Sequence, residues 1–475
     1  MRFPAVLVAT ICLSLRLSGQ EVPQVEAAPA LKPSVETEEE VYSYKPADNG
    51  ADPMWCWGST CLVRIGDEVF ASGLETLIQA KPLNNVRWML MRREPDGWKL
   101  EHVDETGRTR EPCPIVGFPD GRLFLSANPT LVTDPDGEGG GPARPEILRF
   151  DAGDPEAAYD TLLPAWDGDP AFSEHSYRTL AADGPRGELI LFQNVGLSHS
   201  EWVFRDRDGQ WAATGKLAWP TIAQGEVEPY GGSHARCNYP NVVLSDRAAH
   251  FCGAAAYDHW DRVDTPELMG RGKWGSRWRR LYYTWTPDIM DEPFEPWLEV
   301  ANTFADGGWL FPGDMWIDAE AAVHIVWYEH PIHKQLRDEH FPDITRTYAL
   351  KHAVILNGEI QSRHVLLESG EGISGEIPGA LGNPRVQITP DGRTFIIYYV
   401  GGADDSGEAL SENRIAELLP DGGLGPAVKV PLQHPMRGFF AATRRGGSAP
   451  SMVLDLLGPR LDAPTTIGYA RVRLW

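Results

Sequence analysis

Long apolar runs are missing from this chain of 475 residues, and no stretch shows a sustained 3.6-residue apolar period. The first absence argues against a membrane-spanning helix, which needs about 20 apolar residues, and the second argues against a helical bundle. Basic residues are also scarce, since 43 Lys and Arg face 67 Asp and Glu and the formal net charge is −24. Phosphate binding needs a basic surface, so nucleic acid is a poor candidate partner.

Turn-forming and aromatic residues are abundant instead. The chain contains 48 Gly, 39 Pro and 17 Trp, and 42% of its residues are hydrophobic. Many turns combined with a large apolar content indicate short strands packed into an ordered core. The composition therefore predicts an all-β globular protein.

One pattern recurs seven times along the chain: a β-rich run, a tight turn with Asp or Gly, and a second β-rich run. The copies begin at Cys61 (CLVRIGDEVFASG), Ile115, Thr179, Val242, Trp316, Val386 (VQITPDGRTFIIYYV) and Ala441. Each gap leaves room for two further strands, and propellers have about four to eight blades. The repeats predict a seven-bladed β-propeller with four-stranded antiparallel blades, and a pair of packed β-sandwiches is the alternative.

The N-terminus has the pattern of an exported protein. A basic residue, Arg2, precedes the apolar residues 5–15, and small residues follow, so residues 1–19 are interpreted as a signal peptide. Residues 20–41 are rich in Pro and Glu and are expected to be a disordered leader. The single propeller domain is then residues 42–475, in a secreted or periplasmic protein.

Five cysteines follow the predicted signal peptide: Cys56, Cys61, Cys113, Cys237 and Cys252. An odd number in an oxidising compartment leaves at least one thiol unpaired. Cys56 with Cys61, or Cys237 with Cys252, could form a disulfide. Alternatively, Cys237 and Cys252 could join His234 and His250 in a structural metal site, although their spacing fits no standard zinc finger.

The third repeat carries a histidine at the outer end of each arm of its predicted hairpin. His175 precedes the first strand and His199 follows the second. Counting from the turn at residues 184–187 places Gly196 opposite His175, and a bulge at that glycine would bring His199 closer. The two imidazoles are therefore expected to share a site on one rim of the propeller.

The next inner strand adds a tyrosine and an arginine to this rim. Its sequence, ARCNYPNVVLSD, places Tyr239 near the start of the strand and Arg236 shortly before it. Convergent polar groups in a concave surface are the usual sign of a binding or active site. Since Tyr239 precedes Pro240, an aromatic plug between blades is the other interpretation of that residue.

These segments together resemble a known family. The order HSYRTLAAD, SHSEW, CNYPNVVLSD and FPGDMWIDAEAAVHIVW looks like the succession of blades in BNR-repeat propeller polysaccharide lyases, which include the propeller-type ulvan lyases. The resemblance implies a lyase acting on an acidic polysaccharide and marks His175, His199 and Tyr239 as catalytic. Where the family has an Arg after the Tyr, this chain reads HFCGAA. The substrate carboxylate is therefore expected to meet another Arg, with Arg236, Arg279 and Arg385 as candidates.

The expected chemistry is β-elimination, which needs a base for the C5 proton, an acid for the leaving oxygen and a cation or hydrogen-bond network for the uronate carboxylate. His175 is predicted as the base or the partner of the carboxylate, Tyr239 as base or acid, and His199 as a positioning or neutralising group. None of these roles requires a metal or cofactor.

Two other functions are compatible with the same sequence. A glycoside hydrolase would use two carboxylates, with rim candidates Glu75, Glu111, Asp314 and Glu329, and a sialidase-like propeller would use a Tyr nucleophile with several Arg. A noncatalytic carbohydrate-binding propeller is equally compatible with the fold. The sequence does not indicate an oligomeric state.

Overall fold

All seven predicted hairpins are present, and each supplies the two innermost strands of a four-stranded antiparallel sheet. A computed structural model describes residues 29–132, 140–175, 177–196, 198–221, 234–256, 278–303, 305–373, 379–403 and 407–475. The innermost strands of neighbouring sheets pack against one another around a central axis. The protein is therefore a seven-bladed β-propeller, as the repeats predicted.

The first four blades follow the chain in order, and within each blade the strands run from the innermost to the outermost. Blade 1 has β2 (Leu62–Ile65), β3 (Glu68–Thr76), β4 (Val86–Glu94) and β5 (Gly97–Val103). Blade 2 has β6 (Ile115–Gly117), β7 (Arg122–Ala127), β8 (Glu146–Asp151) and β9 (Asp160–Leu162). Blade 3 has β10 (Arg178–Asp183), β11 (Glu188–Val195), β12 (His199–Arg205) and β13 (Trp211–Ala218). Blade 4 has β14 (Cys237–Ser245), β15 (Ala248–Ala256), β16 (Trp278–Thr286) and β17 (Leu298–Asn302).

The last three blades include the helical segments of the described chain. Blade 5 has β18 (Trp309–Ile317), β19 (Val323–His330), β20 (Thr347–Leu356) and β21 (Glu359–Gly370), with the short helix α1 (Lys334–His340) between β19 and β20. Blade 6 has β22 (Ala380–Ile388), β23 (Thr394–Ala403), β24 (Ala409–Glu417) and β25 (Val428–Val430). Blade 7 has β26 (Phe440–Ala441), β27 (Val453–Pro459), β28 (Thr466–Arg473) and β1 (Ser34–Ser43), and a 3₁₀ turn (Arg444–Gly446) follows β26.

The order of strands in blade 7 shows how the ring closes. The N-terminal strand β1 pairs antiparallel with the C-terminal strand β28. The prediction of a disordered leader over residues 20–41 is therefore wrong for residues 34–41. The acidic residues that suggested disorder lie on an outer strand, where Glu39, for example, makes an ion pair of 2.7 Å with Arg93. Residues 1–28, with the predicted signal peptide, lie outside the described residues.

The inner strands are buried on both faces because blades stack on each other. Strand β11, with the sequence ELILFQNV, is buried along nearly its whole length. Its residues do not alternate between apolar and polar, as is usual for a strand that is covered on both faces. Phe192 on β11 contacts Phe251 on β15 of the next blade, with ring centroids 5.2 Å apart. Each such side chain contributes about 1.5–3 kcal/mol by leaving water. The core is thus a ring of apolar layers between blades.

The hairpin register fixes which residues lie on which face of the ring. Strands β10 and β11 pair from Arg178↔Gln193 to Asp183↔Glu188, and the same register places Gly196 opposite His175, as predicted. The turns between the first two strands of each blade lie on one face, here called the lower face. The residues that precede the innermost strands lie on the other, the upper face.

The central channel is plugged from both faces. On the lower face, Arg445 of the 3₁₀ turn donates to Asp314 Oδ1 at 2.7 Å and to the carbonyl of Gly58 at 2.6 Å. Gly58 belongs to the segment that leads into blade 1 across the upper face. A Cβ atom there would overlap the carbonyl oxygens of Tyr239 and Pro240, so only glycine lets the segment approach β14 this closely.

Among the described residues, no helix is both long and apolar enough to cross a membrane.

Candidate active site

Three residues that sequence reasoning placed on one rim do come together on the upper face, with one further tyrosine. His175 and Tyr177 lie just before β10, and Arg236 and Tyr239 lie at the start of β14 in the next blade. The ring of Tyr177 is 5.4 Å from that of His175 and 4.8 Å from that of Tyr239, and the Arg236 guanidinium lies over it at 5.0 Å. Tyr177 is therefore the centre of the group, here called the His–Tyr cluster.

The segment that carries His175 is anchored by two hydrogen bonds from blade 2. Asn128, at the end of β7, donates to the carbonyl of Ser173 at 2.9 Å, and the backbone N–H of Gly141 donates to the Glu174 carboxylate at 3.0 Å. Gln193 in turn donates to the Asn128 side-chain oxygen at 3.0 Å. Since Ser173 and Glu174 directly precede His175, these bonds set where its imidazole can lie.

His175 has one buried and one accessible side. Its Nε2 atom is buried, lies 3.9 Å from Oε1 of Glu111 and makes no hydrogen bond to any residue the structure describes, while the side chain as a whole is 35% exposed. Burial, reinforced by the guanidinium groups of Arg236 and Arg110, lowers the pKa of His175 to about 3. The imidazole is therefore neutral at pH 7. With its Nε2 facing Glu111, its Nδ1 is the ring nitrogen left toward the accessible side.

Tyr239 lies in a strained backbone position among aromatic rings. Its φ is +49°, uncommon for a non-glycine residue, and the β14–β15 register shifts between Asn238 and Asn241. Pro240 has no N–H for the ladder, which accounts for the bulge. Five rings surround that of Tyr239 at centroid distances of 4.8 to 6.0 Å: Trp55, Trp57, Tyr177, Trp278 and Phe311. The interpretation of Tyr239 as an aromatic plug is therefore correct for its ring.

The hydroxyl group of Tyr239, unlike its ring, makes a polar contact, because it is hydrogen-bonded to Tyr177. Burial above all, together with Tyr177, raises the pKa of Tyr239 well above its ordinary value. The hydroxyl therefore keeps its proton at neutral pH. Strained, buried residues of this kind cluster at active sites, where the surrounding fold holds them in place.

Arg236 is the cation of the cluster. It is only 7% exposed, and its Nε atom is buried without a hydrogen-bond partner in the described part of the chain. A buried guanidinium donor is costly to leave unmatched. It lies over the ring of Tyr177 and close enough to His175 to affect the pKa of that imidazole.

His199 does not join the cluster. Gly196, with φ of +55°, turns the chain out of β11, and His199 opens the third strand, β12, instead of following a bulge in the second. It therefore lies two strand spacings, about 10 Å, out from the innermost strand. Its ring nitrogens contact Ser198 at 2.8 Å and Glu201 at 3.1 Å.

The other two predicted arginines support the fold. Arg385 is fully buried, and its guanidinium donates to the backbone carbonyls of Phe439, Gly313 and Trp57. Arg279, on β16, donates to the carbonyl of Gly308. Residues 271–277, shortly before it in the chain, lie outside the described residues.

The five cysteines within the described ranges are free and buried, so neither predicted disulfide alternative is present. Cys237 and Cys252 pack into different apolar clusters, and His250 hydrogen-bonds Tyr283 at 2.8 Å. These contacts do not converge on one point. Within the described ranges, no group of three or more His, Cys, Asp or Glu side chains could hold a metal ion.

The four carboxylates considered for a hydrolase lie in different settings. Glu75 pairs with Arg87 at 2.7 Å, Asp314 with Arg445 at 2.7 Å and Glu329 with Lys351 at 2.7 Å. Only Glu111, which is fully buried, adjoins the His–Tyr cluster. A pair of facing carboxylates at that cluster is thus not found among the described residues.

Sequence reasoning missed one member of the site, Tyr177, and assigned another, Glu111, to a different role. Tyr177 lies two residues after His175 in HSYRTLAAD. Its position directly before the buried strand is the sequence signal that identifies it. Glu111 was considered only as a hydrolase acid, because its contact with His175 joins blades 2 and 3 and no local pattern reveals it.

Comparison with known proteins finds the same fold in solved structures of low sequence identity. No family model matches the sequence, and no curated protein matches it. A solved structure described as a PL25 ulvan lyase bound to -[GlcA(1-4)Rha3S]- has a TM-score of 0.50 at 10% identity, over 91% of this chain and 95% of that chain. A second solved structure described as a PL25 ulvan lyase gives the same values. The polysaccharide lyase Uly1 has a TM-score of 0.51 at 12% identity, over 96% of this chain and 95% of that chain. At such identities the likeness establishes a shared fold only, and membership of the BNR-repeat group stays a prediction.

Proposed function

We propose that this protein is a polysaccharide lyase that cleaves a uronate-containing polysaccharide by β-elimination. The observation that carries the proposal is the His–Tyr cluster, which combines a neutral imidazole, a protonated tyrosine hydrogen-bonded to a second tyrosine, and a buried guanidinium on one face of the propeller. The shared fold with ulvan lyases supports it, since one of those structures holds a glucuronate-containing chain. The signal-like N-terminus supports an exported enzyme, which would meet such polymers outside the cell.

The proposed step begins at C5 of the uronate, whose proton is weakly acidic because the carboxylate is adjacent. The neutral His175 removes this proton through Nδ1, and Arg236 offsets the negative charge that develops on the carboxylate. The electron pair forms the C4–C5 double bond as the C4–O4 bond breaks. Tyr239 then donates its proton to the departing O4, which becomes a hydroxyl group. The chain's own side chains supply every proton transfer.

Two supporting residues follow from the contacts. Glu111 faces Nε2 of His175 and favours the tautomer with hydrogen on Nε2, which leaves Nδ1 unprotonated as the base. This is the arrangement of base and orienting carboxyl group found in other enzymes, and such contacts often tighten only when substrate binds. Tyr177, hydrogen-bonded to Tyr239, positions the acid. His199 has no role in proton transfer in this scheme.

The dense packing around Tyr239 favours one alternative, a noncatalytic carbohydrate-binding propeller. In that case the rings only hold blades 3, 4 and 5 together, and removing one hydroxyl group would change neither cleavage nor binding. The two functions therefore differ in what Tyr239→Phe does.

The experiment is to incubate the purified protein with ulvan, pectin and glycosaminoglycans while following the ultraviolet absorbance of unsaturated uronate. The proposal predicts a rise with at least one polymer, lost in His175→Ala and Tyr239→Phe. New reducing ends without the absorbance would instead identify a hydrolase. Binding without any cleavage would leave the binding propeller.

A further inference from the structure

A cavity opens on the upper face beside the His–Tyr cluster. It has a volume of about 530 Å³ and is lined by residues of blades 5, 6 and 7 and of the segment before blade 1. Trp57 and Phe311 line it and also contact Tyr239, at ring distances of 5.2 and 6.0 Å. A cavity of this volume lies in the range of small-ligand sites. It is here called the aromatic cavity.

One wall of the aromatic cavity is a continuous row of rings. The ring centroid of Trp309 lies 4.1 Å from that of His330 and 5.0 Å from that of Phe311. The ring centroid of Tyr328 lies 5.5 Å from that of Phe311 and 5.3 Å from that of His330. Such a wall offers an apolar surface with polar edges. The C–H face of a pyranose ring has the matching character, apolar on its face and hydrogen-bonding around its rim.

The polar groups of the cavity favour an anion. Tyr328 is 7% exposed, and its hydroxyl group makes no hydrogen bond to any residue in the described part of the chain. Burial raises the pKa of Tyr328, and the nearby guanidinium groups of Arg385 and Arg437 act in the opposite direction without reversing the shift. Arg437 is exposed and makes no ion pair with any residue the structure describes.

The charge of the lining is opposite to that of the chain. Arg385, Arg437 and Arg460 line the cavity with one carboxyl group, Asp52, in a protein whose formal charge is −24. Arg460 is engaged with Asp462, so Arg437 is the guanidinium left for a ligand. An acidic polymer would be repelled by most of the surface of this acidic protein and attracted to places where cationic side chains are gathered.

We infer that the aromatic cavity is a second sugar-binding subsite, which holds an acidic pyranose unit of the same polysaccharide while another unit lies at the His–Tyr cluster. The sugar ring packs on Trp309, and its carboxylate or sulfate group binds Arg437 and the Tyr328 hydroxyl. This inference rests on the proposed function for the identity of the polymer. It adds that the polymer spans both sites, so affinity should depend on chain length.

The test measures binding without turnover. His175→Ala protein is titrated by calorimetry with di-, tetra- and hexasaccharides of the -[GlcA(1-4)Rha3S]- repeat and with desulfated forms of each. The Kd should fall by about tenfold or more from the shortest to the longest chain, which is the gain that one well-packed contact residue can supply. Trp309→Ala and Arg437→Ala, each added to His175→Ala, should abolish that gain and leave disaccharide binding unchanged. Retention of the gain by the desulfated chains would identify the carboxylate as the bound group, and its loss the sulfate.

A matched control removes an arginine from the opposite face. Arg122→Ala, at the lower face beside Asp120, should keep the gain with chain length, and thermal melting should show that all variants are folded. Equal affinity for all lengths, or a gain that persists in both Trp309→Ala and Arg437→Ala, overturns the inference even if the parent protein is a lyase. A gain that depends on Trp309 in a protein without lyase activity would uphold the subsite and overturn the proposed reaction.

Discussion

The buried Nε2 atom of His175 lies 3.9 Å from Oε1 of Glu111, across the boundary between blades 3 and 2. The relationship gives the imidazole a defined orientation before any substrate is present. It also separates the two nitrogens by function, since one faces the protein interior and the other faces the upper surface.

Glu111→Gln tests this orientation. The substitution keeps the shape of the side chain but offers His175 an amide, so kcat should fall by about 10²-fold while KM changes little. Glu188→Gln, which alters another buried glutamate beside an arginine at the lower end of blade 3, is the control and should retain activity. An unchanged kcat and unchanged pH profile in a folded Glu111→Gln protein would show that Glu111 does not position the base.

Tyr239→Phe and Tyr177→Phe separate the hydroxyl groups from the rings. Both substitutions keep the aromatic packing and remove a hydrogen bond worth about 1 kcal/mol, so the melting temperature should drop by only a few degrees. Activity should fall by about 10²-fold or more in Tyr239→Phe, the proton donor, and less in Tyr177→Phe, which only positions it. Equal activity of Tyr239→Phe and the parent would return Tyr239 to a purely structural role.

Arg236→Gln should change both binding and pH dependence. Burial and the neighbouring guanidinium groups hold the pKa of His175 at about 3, so the base stays neutral well below the ordinary histidine value of about 6.5. Removing one guanidinium raises that pKa toward its ordinary value, and the acidic limb of the kcat/KM profile should move to higher pH. KM should rise as well, because the carboxylate loses its cation. A limb that does not move would contradict the placement of Arg236 beside His175.

A row of histidines in blade 5 should make stability depend on pH. His324 Nδ1 lies 2.9 Å from His352 Nε2, and burial, followed by His324 and His364, lowers the pKa of His352 to about 3. Between about pH 6.5 and 3 the unfolded chain therefore binds more protons here than the folded one. Stability from this group is complete above about pH 6.5 and is lost, by up to about 1.4 kcal/mol per pH unit, as pH falls.

Urea unfolding at several pH values measures this effect. His352→Gln should flatten the fall in the free energy of unfolding between about pH 6 and 4. The same slope in His352→Gln and the parent would mean that other groups account for the acid sensitivity.

The fold was predictable where local chemistry repeats. Each of the seven hairpins is marked by two β-rich runs around a turn with Asp or Gly, and the register of His175 opposite Gly196 follows from counting. Strand β1 was not predictable in this way, because its acidic composition resembles disorder and its pairing partner, β28, lies at the other end of the chain.

The site was predictable only in part, for a related reason. His175, Arg236 and Tyr239 could be placed on one rim because each precedes or begins an inner strand. The distance of His199 from the His–Tyr cluster depends on whether Gly196 makes a bulge within β11 or a turn out of it. Glycine is compatible with both conformations, so the sequence does not distinguish them. The burial of Arg385 and the contact of Glu111 arise between blades, where no sequence period operates.

The mass of the oligosaccharides released from a uronate-containing polymer tests the central claim most directly. Elimination adds no water, so the account predicts fragments that carry an unsaturated uronate at one end and are lighter by one water molecule than the corresponding hydrolysis products. These fragments should be absent with His175→Ala. Fragments of the full hydrolytic mass, or unsaturated fragments produced equally well by His175→Ala, would contradict the account.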